Sequence, residues 1–96
     1  MSDWLFDDPP NVAVFTTRHV LEGKGILLVT HDADDGSWQF HTGQATNEAE
    51  AKVVSLRRIV ELDPSVTQLF DLPLGWAAIR PGVEAQWQRR KSSNGS

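Results

Sequence analysis

The sequence predicts an α+β fold: a two-layer domain with a mostly antiparallel sheet of about five to six strands and two short consecutive helices packed on one face. Three observations carry that expectation. Short apolar runs rich in β-branched and aromatic residues recur as "NVAVFTT", "GILLVTH" and "SWQFHT". One segment, "SLRRIVELDPSVTQLF", instead repeats its apolar residues at helical spacing. The chain has 96 residues and no cysteine, so a single small core must hold it without disulfides.

Residues 1–10 form an extended lead-in ending in the stiff pair Pro9–Pro10. Residues 11–88 make the single domain, and residues 89–96 make a polar, disordered tail. "NVAVFTT" reads as a strand at about 12–16, after which Thr17 can cap one helical turn, "RHVLE", that Gly23 ends in a left-handed conformation. "GILLVTH" is apolar on both faces as far as Val29, which suits a central strand. "SWQFHT" alternates aromatic with polar residues, as a half-buried strand does. Asn47 and Glu50 have the spacing of a capping box, and the valines of "KVVS" suggest a further strand.

In "SLRRIVEL", Leu56, Ile59 and Val60 share a helical face, while Arg57, Arg58 and Glu61 face water. Asp63–Pro64 stops that helix and caps a second one, in which Val66, Leu69 and Phe70 continue the apolar stripe. Each helix is too short to persist alone in water, so packing must support both. "LGWAAIRPGVEAQWQR" reads as a closing hairpin turned at Pro81–Gly82, which sets Trp76 opposite Trp87 and Ala78 opposite Ala85. Such a tryptophan pair is worth about 0.5–1 kcal/mol beyond area burial.

Composition excludes several functions. There are 13 acidic and 9 basic residues, a net charge of −4, which argues against nucleic-acid binding. No apolar run is long enough for a membrane span, and the acidic "MSDWLFDDPP" is unlike a secretory signal, so a cytoplasmic location is expected. The cluster Arg89, Arg90, Lys91 reads as a solvated tail.

The most chemical-looking stretch is "THDADDGSWQFHTG", residues 30–43. Read as a calcium loop from Asp32, its Gly36 falls one place early and position 12 is Gly43, so the pattern fails. Turn chemistry explains it better: the aspartates bond their own backbone and Gly36 supplies a positive φ. A four-residue loop, Ala33 to Gly36, sets Val29 and His31 beside Phe40 and Trp38 and sends His41 to the other face. A three-residue loop would set His31 diagonal to His41, the only register able to build a two-histidine metal site. The first register keeps the aromatics against Val29 and is preferred. No serine elbow or phosphate loop is present, and Ser37 and Ser55 sit at element ends where hydroxyls cap. His19 lies in the short helical turn, half-exposed.

Of the tryptophans, Trp38, Trp76 and Trp87 fall in expected strands, whereas Trp4 lies in "DWLFDD" outside any element. Trp4 either folds back on the sheet or serves as a docking segment.

The motifs "VFTTRHVLEG", "HDADDGSWQF" and "VVSLRRIVELDPSVTQLFDLPLGWAAIR" cover most of residues 12–80. In their order the chain resembles a family of small uncharacterised bacterial α+β proteins with no established activity. Some similar domains look like immunity proteins, which neutralise a toxin by binding it. The resemblance implies a binding function and assigns no residue a role.

The reading is therefore a non-catalytic protein-binding module without cofactor or bound metal, whose partner is another protein, a toxin being its most concrete form. Asp32, Asp34, Asp35 and Trp4 are the expected contact residues. One alternative is a metal-binding protein or metal-dependent enzyme using His31, His41 and Asp32. A second is a structural accessory protein that self-associates by a sheet edge.

Overall fold

Six strands form one sheet in a computed structural model of the chain, which describes residues 4–42 and 51–91. In chain order they are β1 (Ala13–Thr17), β2 (Leu28–His31), β3 (Trp38–His41), β4 (Ala51–Ser55), β5 (Trp76–Ile79) and β6 (Gln88–Lys91). A short helix α1 (Arg18–Leu21) follows β1, and α2 (Leu56–Leu62) with a 3-10 helix (Pro64–Leu69) follows β4. The strand order is β4-β1-β3-β2-β5-β6, so β2 is central, as its apolar run requires. Only β1 and β3 pair in parallel; the other four pairings are antiparallel.

Local signals set the element ends. The Thr17 hydroxyl accepts from the Val20 N–H at the start of α1, and Gly23 adopts φ 90° just after it. Ser55 caps α2 through the Arg58 N–H at 3.1 Å. Asp63 caps the 3-10 helix by accepting from the Ser65 N–H, with Pro64 in its first turn. The expected second α-helix is thus wound as a 3-10 helix, and this changes its apolar face. At three residues per turn Val66 and Leu69 line up and are buried, whereas Phe70 falls off the line and is 43% exposed.

The buried cluster unites Val14, Val29, Phe40 and Ala78 of the strands with Leu56, Ile59, Val66 and Leu69 of the helical segments. Phe6 belongs to it too, and Trp4 and Val12 pack against it, so the lead-in is tied to the core. The next residues along the strands point away: Phe15 and Val53, paired across β1 and β4, are exposed. The buried Thr16 hydroxyl in the sheet is matched locally, donating to the Phe40 carbonyl at 2.8 Å.

The closing hairpin departs from the expected register. Trp76 pairs with Lys91 and Ile79 with Gln88, so Trp76 does not face Trp87, nor Ala78 Ala85. The connection from Arg80 to Trp87 is longer than a Pro-Gly turn because Arg80 turns inward. Its Nε–H donates to the Ile26 carbonyl, Nη1 to Ser65 Oγ and the Val83 carbonyl, and Nη2 to Asp63 Oδ2 at 2.7 Å. Trp87 lies under the guanidinium, 4.0 Å from ring centroid to Cζ, and its indole N–H donates to the Ser65 carbonyl. Arg89, Arg90 and Lys91, assigned by sequence to the tail, form most of β6, exposed at the sheet edge. The Asn47–Glu50 capping box lies outside the described residues.

Candidate functional site

The stretch from Thr30 to Thr42 folds as a hairpin with the four-residue register. Val29 opposes Phe40 and His31 opposes Trp38; Asp32 N–H donates to the Ser37 carbonyl, and Gly36, at φ 74°, closes the loop back onto the Asp32 carbonyl. Cross-strand partners share a face and successive residues alternate, so His31 and His41 lie on opposite faces. The two-histidine metal site is therefore not assembled, and Asp32 turns to the His41 side. Among the described residues no group of three or more histidine, aspartate or glutamate side chains is placed to hold a metal ion.

On that side the polar residues form a relay. Asp32 Oδ2 accepts from Gln39 Nε2 at 2.7 Å, and Gln39 Oε1 lies 3.0 Å from His41 Nε2. Because an amide oxygen only accepts, His41 carries its proton on Nε2. Burial holds its pKa below the ordinary histidine value, against an opposing pull from the Asp32 charge. At the tip, Asp35 Oδ1 accepts from the Ser37 hydroxyl at 2.7 Å and the Ser37 N–H at 3.0 Å, which lowers its pKa. Asp34 is exposed.

The other side of the same hairpin faces a cavity of about 340 Å³, lined by Asp7, Asp8, His31, Trp38 and residues 70–74. Its floor is aromatic: His31 stacks on Trp38 at 3.9 Å between centroids, and Phe6 meets Trp38 edge-on at 5.3 Å. His31 also anchors one wall. Its Nδ1 donates to the Leu72 carbonyl at 2.8 Å, while its own carbonyl accepts from the Gly75 N–H at 2.7 Å. That wall lies against the hairpin tip, since a Cβ at Gly75 would be in ordinary contact with Ala33 at 3.5 Å and one at Gly36 with Leu74 at 3.9 Å; it is their positive φ, 81° and 74°, and not lack of space that calls for glycine.

The wall and the tip bring six aspartates to one end: Asp7, Asp8, Asp32, Asp34, Asp35 and Asp71. Asp71 pairs with Arg89 at 2.6 Å, which lowers its pKa, and none of the other five forms an ion pair among the described residues. Of the expected contact residues, Asp32, Asp34 and Asp35 share the tip. Trp4 instead leans on Phe6 at 5.7 Å and donates from Nε1 to the Asp8 carbonyl at 2.6 Å, so it braces the segment that brings Asp7 and Asp8 to the cavity. Sequence reading missed Asp7, Asp8, His31 and Phe70 as neighbours. The acidic flanks of "DWLFDD" were the available signal.

No protein-family model, curated protein or solved structure matches this chain. The functional reading rests on the geometry of this acidic end.

Proposed function

We propose that the chain is a non-catalytic, cytoplasmic protein-binding module whose partner presents a basic surface to the acidic end. On this reading the helical segments form a second layer over the buried face of the sheet. One observation supports it: Asp7 and Asp8 line a half-apolar cavity beside the hairpin whose tip carries Asp32, Asp34 and Asp35, and none of these five has an ion-pair partner among the described residues. Gathered like charges accelerate encounter with an oppositely charged surface, and the exposed Phe70 and Leu74 supply apolar area to hold it. A toxin with a basic cleft, neutralised as an immunity protein would, is the most concrete partner.

The test is recovery of cross-linked partners from the native host. The wild type and D34E/D35E are expected to retain one basic partner that D34K/D35K loses, with an association rate that falls as salt rises. Equal recovery by all three variants sinks the reading. A second reading, self-association through the β4 edge, is supported by Val53, 61% exposed beside Phe15. Light scattering that finds a monomer at all concentrations removes it.

A further inference from the structure

The sheet has two edges, and they differ. β6 reads Gln-Arg-Arg-Lys, cations in succession with every residue exposed, which repels another strand of this chain. β4 reads Ala-Lys-Val-Val-Ser, with one charge and no proline, and its pairing with β1 runs unbroken, so no bulge turns it away. Among the described residues β1 is its sole neighbour in the sheet.

The ladder shows which β4 groups are unused. The Leu56 N–H donates to the Val12 carbonyl at 2.9 Å, one step beyond the Ala13–Ser55 pair, so Val12 and Leu56 form a bonded pair. Antiparallel ladders alternate bonded and non-bonded pairs, so Val54 and Lys52 are the β4 residues that bond to β1. Ala51, Val53 and Ser55 therefore turn their N–H and C=O groups away from β1. The Ser55 carbonyl, at the N-cap, serves the first turn of α2. The Val53 side chain is 61% exposed beside the exposed Phe15, on the face turned from the core.

We propose that β4 pairs antiparallel with β4 of a second copy about a two-fold axis at Val53. The inference rests on the second reading, self-association through this edge, and fixes its register. The two Val53 residues exchange both backbone bonds, and each Ser55 N–H donates to the Ala51 carbonyl of the other copy. Val53 meets Val53 between the two Phe15 rings, an apolar row running across both copies. Lys52 stands opposite Val54. A slip one way sets Lys52 opposite Lys52, and a slip the other way sets it against Leu56, where the strand has become α2.

A second copy suits this edge better than a foreign strand because the edge complements itself. Small Ala51 meets small Ser55, and no charge faces its like. The two-fold also separates the acidic ends. Gln39 is level with Phe15, and Phe15 with Val53, so the Asp32–Asp35 tip lies toward the Ser55 end of β4. Antiparallel pairing sends the two tips to opposite ends of the joined sheet, which favours association of chains with net charge −4.

The test is light scattering of the full-length chain across concentrations, together with variants at the exposed Val53. Wild type is expected to form a dimer as concentration rises. V53D and V53K each place like charges on the axis and are expected to weaken the dimer about tenfold or more. An equimolar mixture of the two is expected to restore a heterodimer, which also shows that both variants fold. The chain has no cysteine, so a single introduced one reports the register. V53C is expected to cross-link on mild oxidation, because bonded antiparallel partners stand about 5.5 Å apart between Cα atoms, within disulfide reach. A51C is expected not to cross-link, its two copies lying roughly 14 Å apart.

A monomer at every concentration overturns the edge reading and the pairing with it, as does a dimer indifferent to V53D and V53K. A dimer that both variants weaken, but that cross-links through A51C and not V53C, removes the two-fold register alone and leaves the edge reading standing. So does a dimer whose V53D and V53K variants stay apart when mixed.

Discussion

Arg80 and Trp38 are both buried, both polar, and each sits beside an aromatic ring, yet their surroundings differ in kind. Around Arg80 every donor in use has an acceptor: Ile26, Ser65, Val83 and Asp63, with Trp87 closing the face. Around Trp38 the rings pack closely but the N–H is left unmatched, and of the carboxylates lining the nearby cavity Asp71 pairs with Arg89 while Asp7 and Asp8 have no cation among the described residues. Satisfied buried polarity fixes a loop; an unmatched buried donor adds a cost and fastens nothing. The first kind of site should break the fold when cut, the second should not.

The largest effect expected is at Arg80. R80M leaves the Asp63 carboxylate and two carbonyls without their donor and is expected to destabilise by about 3–5 kcal/mol in urea unfolding. A loss under about 1 kcal/mol would mean that the loop from Arg80 to Trp87 is held by other contacts.

Gly25 tests the same region from outside. It has φ 95°, and a Cβ there would stand 2.7 Å from Val83 Cγ1, on the loop that Arg80 ties down. G25A is expected to cost about 1–2 kcal/mol from the left-handed backbone, plus the contact. V83A in the same chain recovers the contact part only. Full recovery in the double variant would show that the backbone carries no strain.

At the acidic end the expected effects on stability are small. D7N/D8N changes two half-exposed or exposed side chains without ion pairs and should shift stability by less than about 0.5 kcal/mol. A loss like that of R80M would turn the cavity into a second structural knot and erase the contrast.

The smallest effect expected is a pH slope at His41. Its folded-state pKa lies below the ordinary value of 6.5, so the unfolded chain takes up this proton first. Stability from this group is therefore complete above the ordinary value and declines as pH falls below it. The urea midpoint of wild type is expected to fall further than that of H41Q between about pH 7.5 and about pH 5.5. Parallel falls would assign the slope to other groups.

What the sequence revealed was local. Thr17 and Ser55 as caps, Asp63–Pro64 as a restart and the four-residue loop after His31 all depend on residues within a few positions of one another. The Phe40–Val29 pairing was legible because only one register put apolar residues on one face. The sheet order was not, since β1 finds its neighbours far along the chain. The closing hairpin misled because Pro81–Gly82 advertises a tight turn, while the burial of Arg80 depends on Asp63 and Ser65 more than a dozen residues away. The candidate site divides in the same way. Its tip, Asp32 to Asp35, is contiguous and was found; its walls, Asp7, Asp8 and residues 70–74, meet only through the fold.

The place of β1 in the sheet has a consequence for how the chain is made. β1 is translated before every other strand, yet its two neighbours are β3 and β4, which end at His41 and Ser55. The β2–β3 hairpin can close as soon as His41 has left the ribosome, while Val14 and Phe15 wait for residues that come later still. A nascent chain halted before Ala51 holds β1 on one side only, with its apolar residues beside an open edge. The first of the six strands to be synthesised thus acquires its full set of native neighbours only after Ser55 has been added.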